Sequence, residues 1–250
     1  MTHINEHELE EEQRISYFES FTIPNMRGLY ECLTRAMPFI SNGWKNTYGA
    51  FLQEEHRRRF AKKLSGYLKN GIPETLPEPH FNEDLTPLMH DSWGYFKTIV
   101  EAVVHEEENV ELRMAKVMET TPFAHSLLLI GQRLTSASAQ DEQAIPPLEE
   151  KLIRSCFEPF NEQTSVATRA WEKHVGRSSD PFWGVVSGNS DQKEKRVRTL
   201  VTDMLHNVTW WNVFYHYKHE LVYEIRVSSG HGIRWTRNGE TLIGFLEPFL

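Results

Sequence analysis

Cysteine is scarce in this sequence: Cys32 and Cys156 are two in 250 residues. That excludes a disulfide framework, and both thiols read as small buried hydrophobes. Long apolar runs are missing too. No stretch of about 18 apolar residues occurs, so no membrane span is expected. The opening residues, MTHINEHELEEEQ, are acidic and polar and hold no apolar segment of the kind a secretory signal needs. A cytoplasmic protein is therefore expected, with the nucleus as the alternative. Basic charge is also short, with 27 Lys and Arg against 35 Asp and Glu and a net charge of −8. Proteins that live on phosphate backbones cluster Lys and Arg, so the balance argues against a nucleic-acid partner.

Signature motifs are lacking as well. There is no P-loop and no Gly-x-Ser-x-Gly elbow, and Gly230-His231-Gly232 lacks the third glycine of a dinucleotide fingerprint. No cofactor is predicted. No metal is predicted either: His216-Tyr217-Lys218-His219-Glu220 and Asp203-x-x-His206 match no ligand template, and HEEENVE at 105–111 reads as a solvated acidic face.

Aromatic residues are abundant, at 14 Phe, 7 Trp and 8 Tyr, which a disordered chain does not carry. Residues 1–20 are mostly charge and are expected to be a disordered arm. Residues 21–250 are expected to be one α-rich domain, with the polar stretch 135–147 as the place where a linker would fall. Apolar spacing predicts helices over 26–40, 44–70, 87–119, 122–134, 148–158 and 162–175, and a last helix over about 192–219. Prolines make 72–86 a loop. The basic run His56-Arg57-Arg58-Arg59 with Lys62-Lys63 is read as a solvated face paired with Glu54 and Glu55.

The period changes at Glu220. Leu221, Tyr223, Ile225 and Val227 alternate with Val222, Glu224, Arg226 and Ser228, which is the pattern of a strand. Two further strand-like runs follow, the second after Asn238-Gly239, a strong hairpin signal. Pairing Val227 with Ile233, Ile225 with Trp235, and Trp235 with Leu242 puts the apolar residues on one face. The expected fold class is α+β: a mainly helical domain with a C-terminal three-stranded antiparallel meander packed on the helices.

Candidate chemistry lies in WWNVFYHYKHE, 210–220, and just after it. Read as a helix, the stretch puts Asn212, His216, His219 and Glu220 on one stripe opposite its aromatics. A pocket between that helix and the sheet would use His216 or His231 as acid or base, with Glu220 to orient the imidazole. Arg226 and Arg234 would bind an anionic small molecule, with Asn212 and His206 as further ligand contacts. Trp211 and Trp235 would form an apolar wall. His231 is expected near Asp203 and His206, at the end away from His216. The alternative class is a non-catalytic module for a protein partner, with Phe182 and Trp183 as exposed anchors. Whether the chain is an enzyme stays open at this point.

Overall fold

The computed structural model describes residues 26–70, 80–88 and 109–249. The acidic arm, the 89–108 part of the expected 87–119 helix, and with it His105, lie outside the described residues. Two compact units emerge, one drawing on 26–70, 87–88 and 109–130, the other on 80–86 and 131–249. Among the described residues no helix is long and apolar enough to cross a membrane.

The first unit is helical, with α1 (Met26–Ala36), α2 (Asn42–Tyr48), α3 (Glu54–Asn70), α4 (Val110–Thr120) and α5 (Phe123–Leu129). The single helix expected over 44–70 is broken. A short 3-10 turn at Gly49–Leu52 and an extended Gln53 intervene. The break turns Phe51 into the core, edge-on to Phe60 and Phe123. Arg58 and Arg59 pair with Glu54 and Glu55 one turn back, as expected, but His56 is buried and Arg57 turns in to the Leu52 carbonyl, so only part of the basic run is a solvated face.

In the second unit, α6 (Glu149–Cys156) leads to a small ribbon of β1 (Pro159–Asn161) and β2 (Thr164–Ser165), then α7 (Val166–Val175) and α8 (Ser190–His206). Asn189 and Gln192 start α8 with a reciprocal capping box. The sheet follows: β3 (Val208–His216), β4 (His219–Val227), β5 (Gly232–Thr236) and β6 (Leu242–Leu246), antiparallel and in chain order. The α+β class stands, with four strands where three were expected.

The fourth strand comes out of the expected last helix. That helix ends at His206, and VTWWNVFYH is β3. Aromatic and β-branched side chains suit a pleated surface better than a helix interior. The wide aromatic arc resembled a helix face because β3 is buried on both sides, which removes simple alternation.

Register fixes the two faces of the sheet. Ile225 sits opposite Ile233 and Tyr223 opposite Trp235, two residues from the pairing expected for that hairpin. A shift of two keeps every side chain on its face, so the apolar pattern survived. The shorter hairpin closes at Gly230, whose φ of 85° suits glycine, and Gly230 N–H donates to Val227 O. Trp235 does pair with Leu242. The face bearing Trp211, Ile225, Ile233 and Trp235 packs on α6, α7 and α8, with Trp171, Val197, Val201 and Met204 buried beneath it. The pocket expected between the last helix and the sheet is therefore filled with side chains.

Candidate active site

The other face of the sheet carries the charge. Direct cross-strand pairing puts Asn212, Glu224, Arg234 and Gly244 in one row, and Trp210, Arg226, Gly232 and Leu246 in the next. A Cβ on Gly232 would meet Ile225 O at 2.5 Å and Arg226 Cγ at 3.0 Å, so glycine there makes room for the Arg226 stem.

Glu224, wholly buried, is the hub of this face. Its Oε1 accepts from Arg226 Nε at 2.7 Å. Its Oε2 accepts from Arg234 Nε at 2.7 Å and lies 2.5 Å from Arg234 Nη2. Two guanidiniums against one carboxylate leave one net positive charge on this face of an acidic protein. Arg226 spends its remaining reach on the Gly230 and Glu247 carbonyls, at 2.6 and 2.9 Å, so it braces the β4–β5 hairpin. Arg234 keeps Nη1, which points at His216 Nε2 at 2.9 Å.

That last contact is chemically unusual. His216 Nδ1 faces the Lys218 backbone N–H at 3.2 Å, and Nε2 faces a guanidinium that can only donate. A neutral imidazole accepts at one nitrogen only. One of the two contacts therefore sets a donor against a donor. The Lys218 contact lies within the hairpin turn, whereas Arg234 keeps 15% of its side chain exposed and His216 is half-buried. An anionic oxygen entering at the Arg234 side would accept from both groups.

The neighbouring part of the face is covered by residues 80–86. Phe81 packs at a tilt against Trp210 and lies under the Arg226 guanidinium, at 5.0 Å in each case. His80 Nε2 meets Thr209 Oγ1 at 3.2 Å. Burial, with help from Arg226 and Arg133, holds the His80 imidazole below its ordinary value. Asp84 pairs with Arg133 and accepts from the Thr86 amide. Burial pushes its carboxyl up, but the Thr86 and Arg133 hydrogen bonds outweigh that and hold it below the usual range.

The sequence-predicted residues fall into three places. His216, Arg226, Arg234 and Asn212 share the charged face. Asn212 is spent within it, donating to Ser138 Oγ at 2.6 Å and accepting from Gln132 at 3.2 Å, which docks the 131–139 segment along β3. Trp211 and Trp235 lie on the opposite, helix-packed face as core. Glu220 is exposed near the β3–β4 turn, and His206 is an exposed helix-end residue 3.2 Å from Glu149. His231 does sit at the end of the sheet away from His216, since Val208 pairs with Val227. Its partner, however, is Asp180 at 3.0 Å, in place of the expected Asp203 and His206. Trp183 is buried, not an exposed anchor. Sequence reasoning missed Glu224, which reads as an ordinary outward strand position, and His80, which lies over 120 residues from its partner.

Residues 153–247 match the model of a family described as the CdiA C-terminal tRNase toxin domain. No curated protein and no solved structure matches the chain. The matched span runs from within α6 to Glu247 and includes His216, Glu224, Arg226 and Arg234, but not 80–86 or 131–139. This similarity overturns three expectations: a small-molecule enzyme with its histidine acid and base in a helix–sheet pocket, a non-catalytic interaction module, and the exclusion of nucleic acid on net charge. Net charge misled because it averages over the chain, while a phosphate responds to the local field.

Proposed function

We propose that the second unit is a tRNA-cleaving nuclease of the toxin type, and that cleavage takes place on the charged sheet face at His216 and Arg234. The observation that carries this reading is the His216 imidazole opposed by a donor at each ring nitrogen, Arg234 Nη1 at 2.9 Å and the Lys218 amide at 3.2 Å, inside a span that resembles a tRNase domain. A phosphate oxygen is the acceptor that relieves that opposition.

The 2′-hydroxyl of RNA lies next to the scissile phosphate, so the nucleophile comes with the substrate. Its oxygen loses its proton and attacks phosphorus, the bond from phosphorus to the 5′-oxygen of the next nucleotide breaks, that oxygen takes up one proton, and the products are a 2′,3′-cyclic phosphate and a 5′-hydroxyl. The protein supplies charge stabilisation and a route for one proton. Arg234, its fork held by Glu224, meets the negative charge that builds on the phosphate oxygens. His216 is the titratable group beside it that exchanges the proton. Arg226 and Asn212 act as positioning residues through Glu224 and the 131–139 segment.

The test is incubation of the purified chain with total tRNA, read on a denaturing gel with analysis of the new ends. Cyclic-phosphate ends are expected. Arg234→Gln and His216→Ala should each slow cleavage by about 10²-fold or more. Arg234→Lys should not restore it, because an ammonium cannot hold the Glu224 fork while reaching a phosphate. Intact tRNA, or wild-type cleavage by both variants, would overturn the assignment.

A further inference from the structure

A second cluster, independent of the nuclease reading, lies at the opposite end of the sheet. Asp180 precedes the short 3-10 turn Pro181–Trp183, His231 sits in the β4–β5 hairpin, and Glu247 follows β6. His231 Nε2 is 3.0 Å from Asp180 Oδ2 and 3.6 Å from Glu247 Oε2. The three atoms all lie within 4.8 Å of one another. Around a tetrahedral ion with bonds of about 2.0–2.2 Å, neighbouring ligand atoms sit about 3.4 Å apart, so the spacing is already close to that of a ligand set.

The outward-facing atom of each side chain is also held in place. His231 Nδ1 meets Ser229 Oγ at 2.9 Å, and its ring is stacked on Phe182 at 3.7 Å with planes 3° apart. Asp180 Oδ1 accepts from the Phe182 amide at 2.8 Å. Glu247 Oε1 accepts from Trp183 Nε1 at 3.1 Å and meets His174 Nε2 at 2.9 Å. Such outer contacts fix ligand orientation in metal sites. Here they leave one atom of each residue converging on a common point. The contact of 3.6 Å is too long for a hydrogen bond, so Glu247 Oε2 faces the imidazole nitrogen without sharing its proton. Among the described residues, the ion-pair partners of both carboxylates are imidazoles.

We propose that Asp180 Oδ2, His231 Nε2 and Glu247 Oε2 form a site for one divalent transition-metal ion of zinc-like coordination, with water in the fourth position. On binding, the ion takes the lone pair of His231 Nε2, and any proton there leaves to solvent. Side-chain exposures of 33% for Asp180 and 40% for Glu247 give the ion a way in. Its role is a clamp: it joins the 180–183 turn, the β4–β5 hairpin and the chain after β6. Nitrogen with two carboxylate oxygens suits zinc or manganese rather than a soft-thiolate metal.

Calorimetric titration of the untagged, chelator-dialysed chain with Zn2+ tests this, with thermal melts alongside. One equivalent should bind saturably and raise the melting temperature. Asp180→Asn and Glu247→Gln, both at the surface, should each weaken binding about tenfold or more and remove the zinc-dependent rise in melting temperature, while the metal-free melts show that the fold is kept. His206→Ala is the control for incidental surface imidazoles and should change nothing. Failure to bind one equivalent, or binding that neither surface variant weakens, would overturn the site. Neither result bears on tRNA cleavage.

Discussion

At the scale of single residues, the strongest constraint is the buried charge of Glu224. Its carboxylate is wholly out of water and is met by Arg226 and Arg234. Removing one member of such a group costs far more than the group contributes net, because the remaining charges stay buried and uncompensated. Glu224→Gln should therefore destabilise the second unit by about 3 kcal/mol or more, read as a lower urea midpoint with an unchanged slope. A change under about 0.5 kcal/mol would mean that water reaches this face freely. The two thiols make the opposite case. Burial pushes Cys156 up to about 12 and Cys32 up to about 11, so neither is a thiolate at neutral pH. Alkylation by iodoacetamide at pH 7 should be negligible in the folded chain and complete in denaturant. Rapid labelling of the native protein would contradict their burial.

At the scale of elements, the charged face was partly legible for a reason that has nothing to do with the helix first assigned to it. Asn212 and His216 are four apart. A separation of four keeps two side chains on one side of an α-helix, and being even it does the same along a strand. Arg226 and Arg234 were expected beside Trp235 in a helix–sheet pocket, whereas the alternation of β4 and β5, which an error of two in register leaves intact, puts them on the face opposite Trp235. Glu220 and His206 joined the list only through the helix and fall away with it. The break in the helix at Gly49–Leu52 and the 80–86 cover were not legible, because both depend on packing between segments distant in sequence. That cover is held by groups that acid should disturb. His80 lies below its ordinary value in the fold, so its contribution is full above about pH 6.5 and is lost as pH falls through the lower, folded value. Asp84, also depressed, contributes above the ordinary carboxylate range and loses its share only as pH falls through its own lower value. Release should therefore come in two stages, His80 first. Exchange of the Leu85 amide, which donates to Leu134 O at 2.8 Å, should quicken as pH falls below about 6.5 beyond the intrinsic pH effect. His80→Asn should flatten that first stage. Exchange that follows intrinsic chemistry alone would show that His80 does not hold the cover.

At the scale of the whole molecule, an acidic chain is proposed to act on a polyanion, and the two facts make a joint demand on how it binds. With a net charge of −8, long-range steering opposes approach at low salt, and on the charged sheet face the favourable charge comes from the two guanidiniums, one of them already bracing the hairpin. A face of that kind holds RNA through few phosphates rather than many. Counterion release scales with the number of phosphates engaged, at about −0.7 per contact for a single strand. Arg234 and His216 together account for one or two contacts, so the slope of log affinity against log salt should be near −1. A protein that coats its substrate with Lys and Arg has a far steeper slope. Titration of a non-cleavable tRNA, substituted at the 2′-position of the cut site, over a range of salt would measure it. Arg234→Gln should lower the affinity and bring the slope nearer to zero. A slope of about −4 or steeper would require a basic surface elsewhere in the chain and would move RNA binding off the charged sheet face.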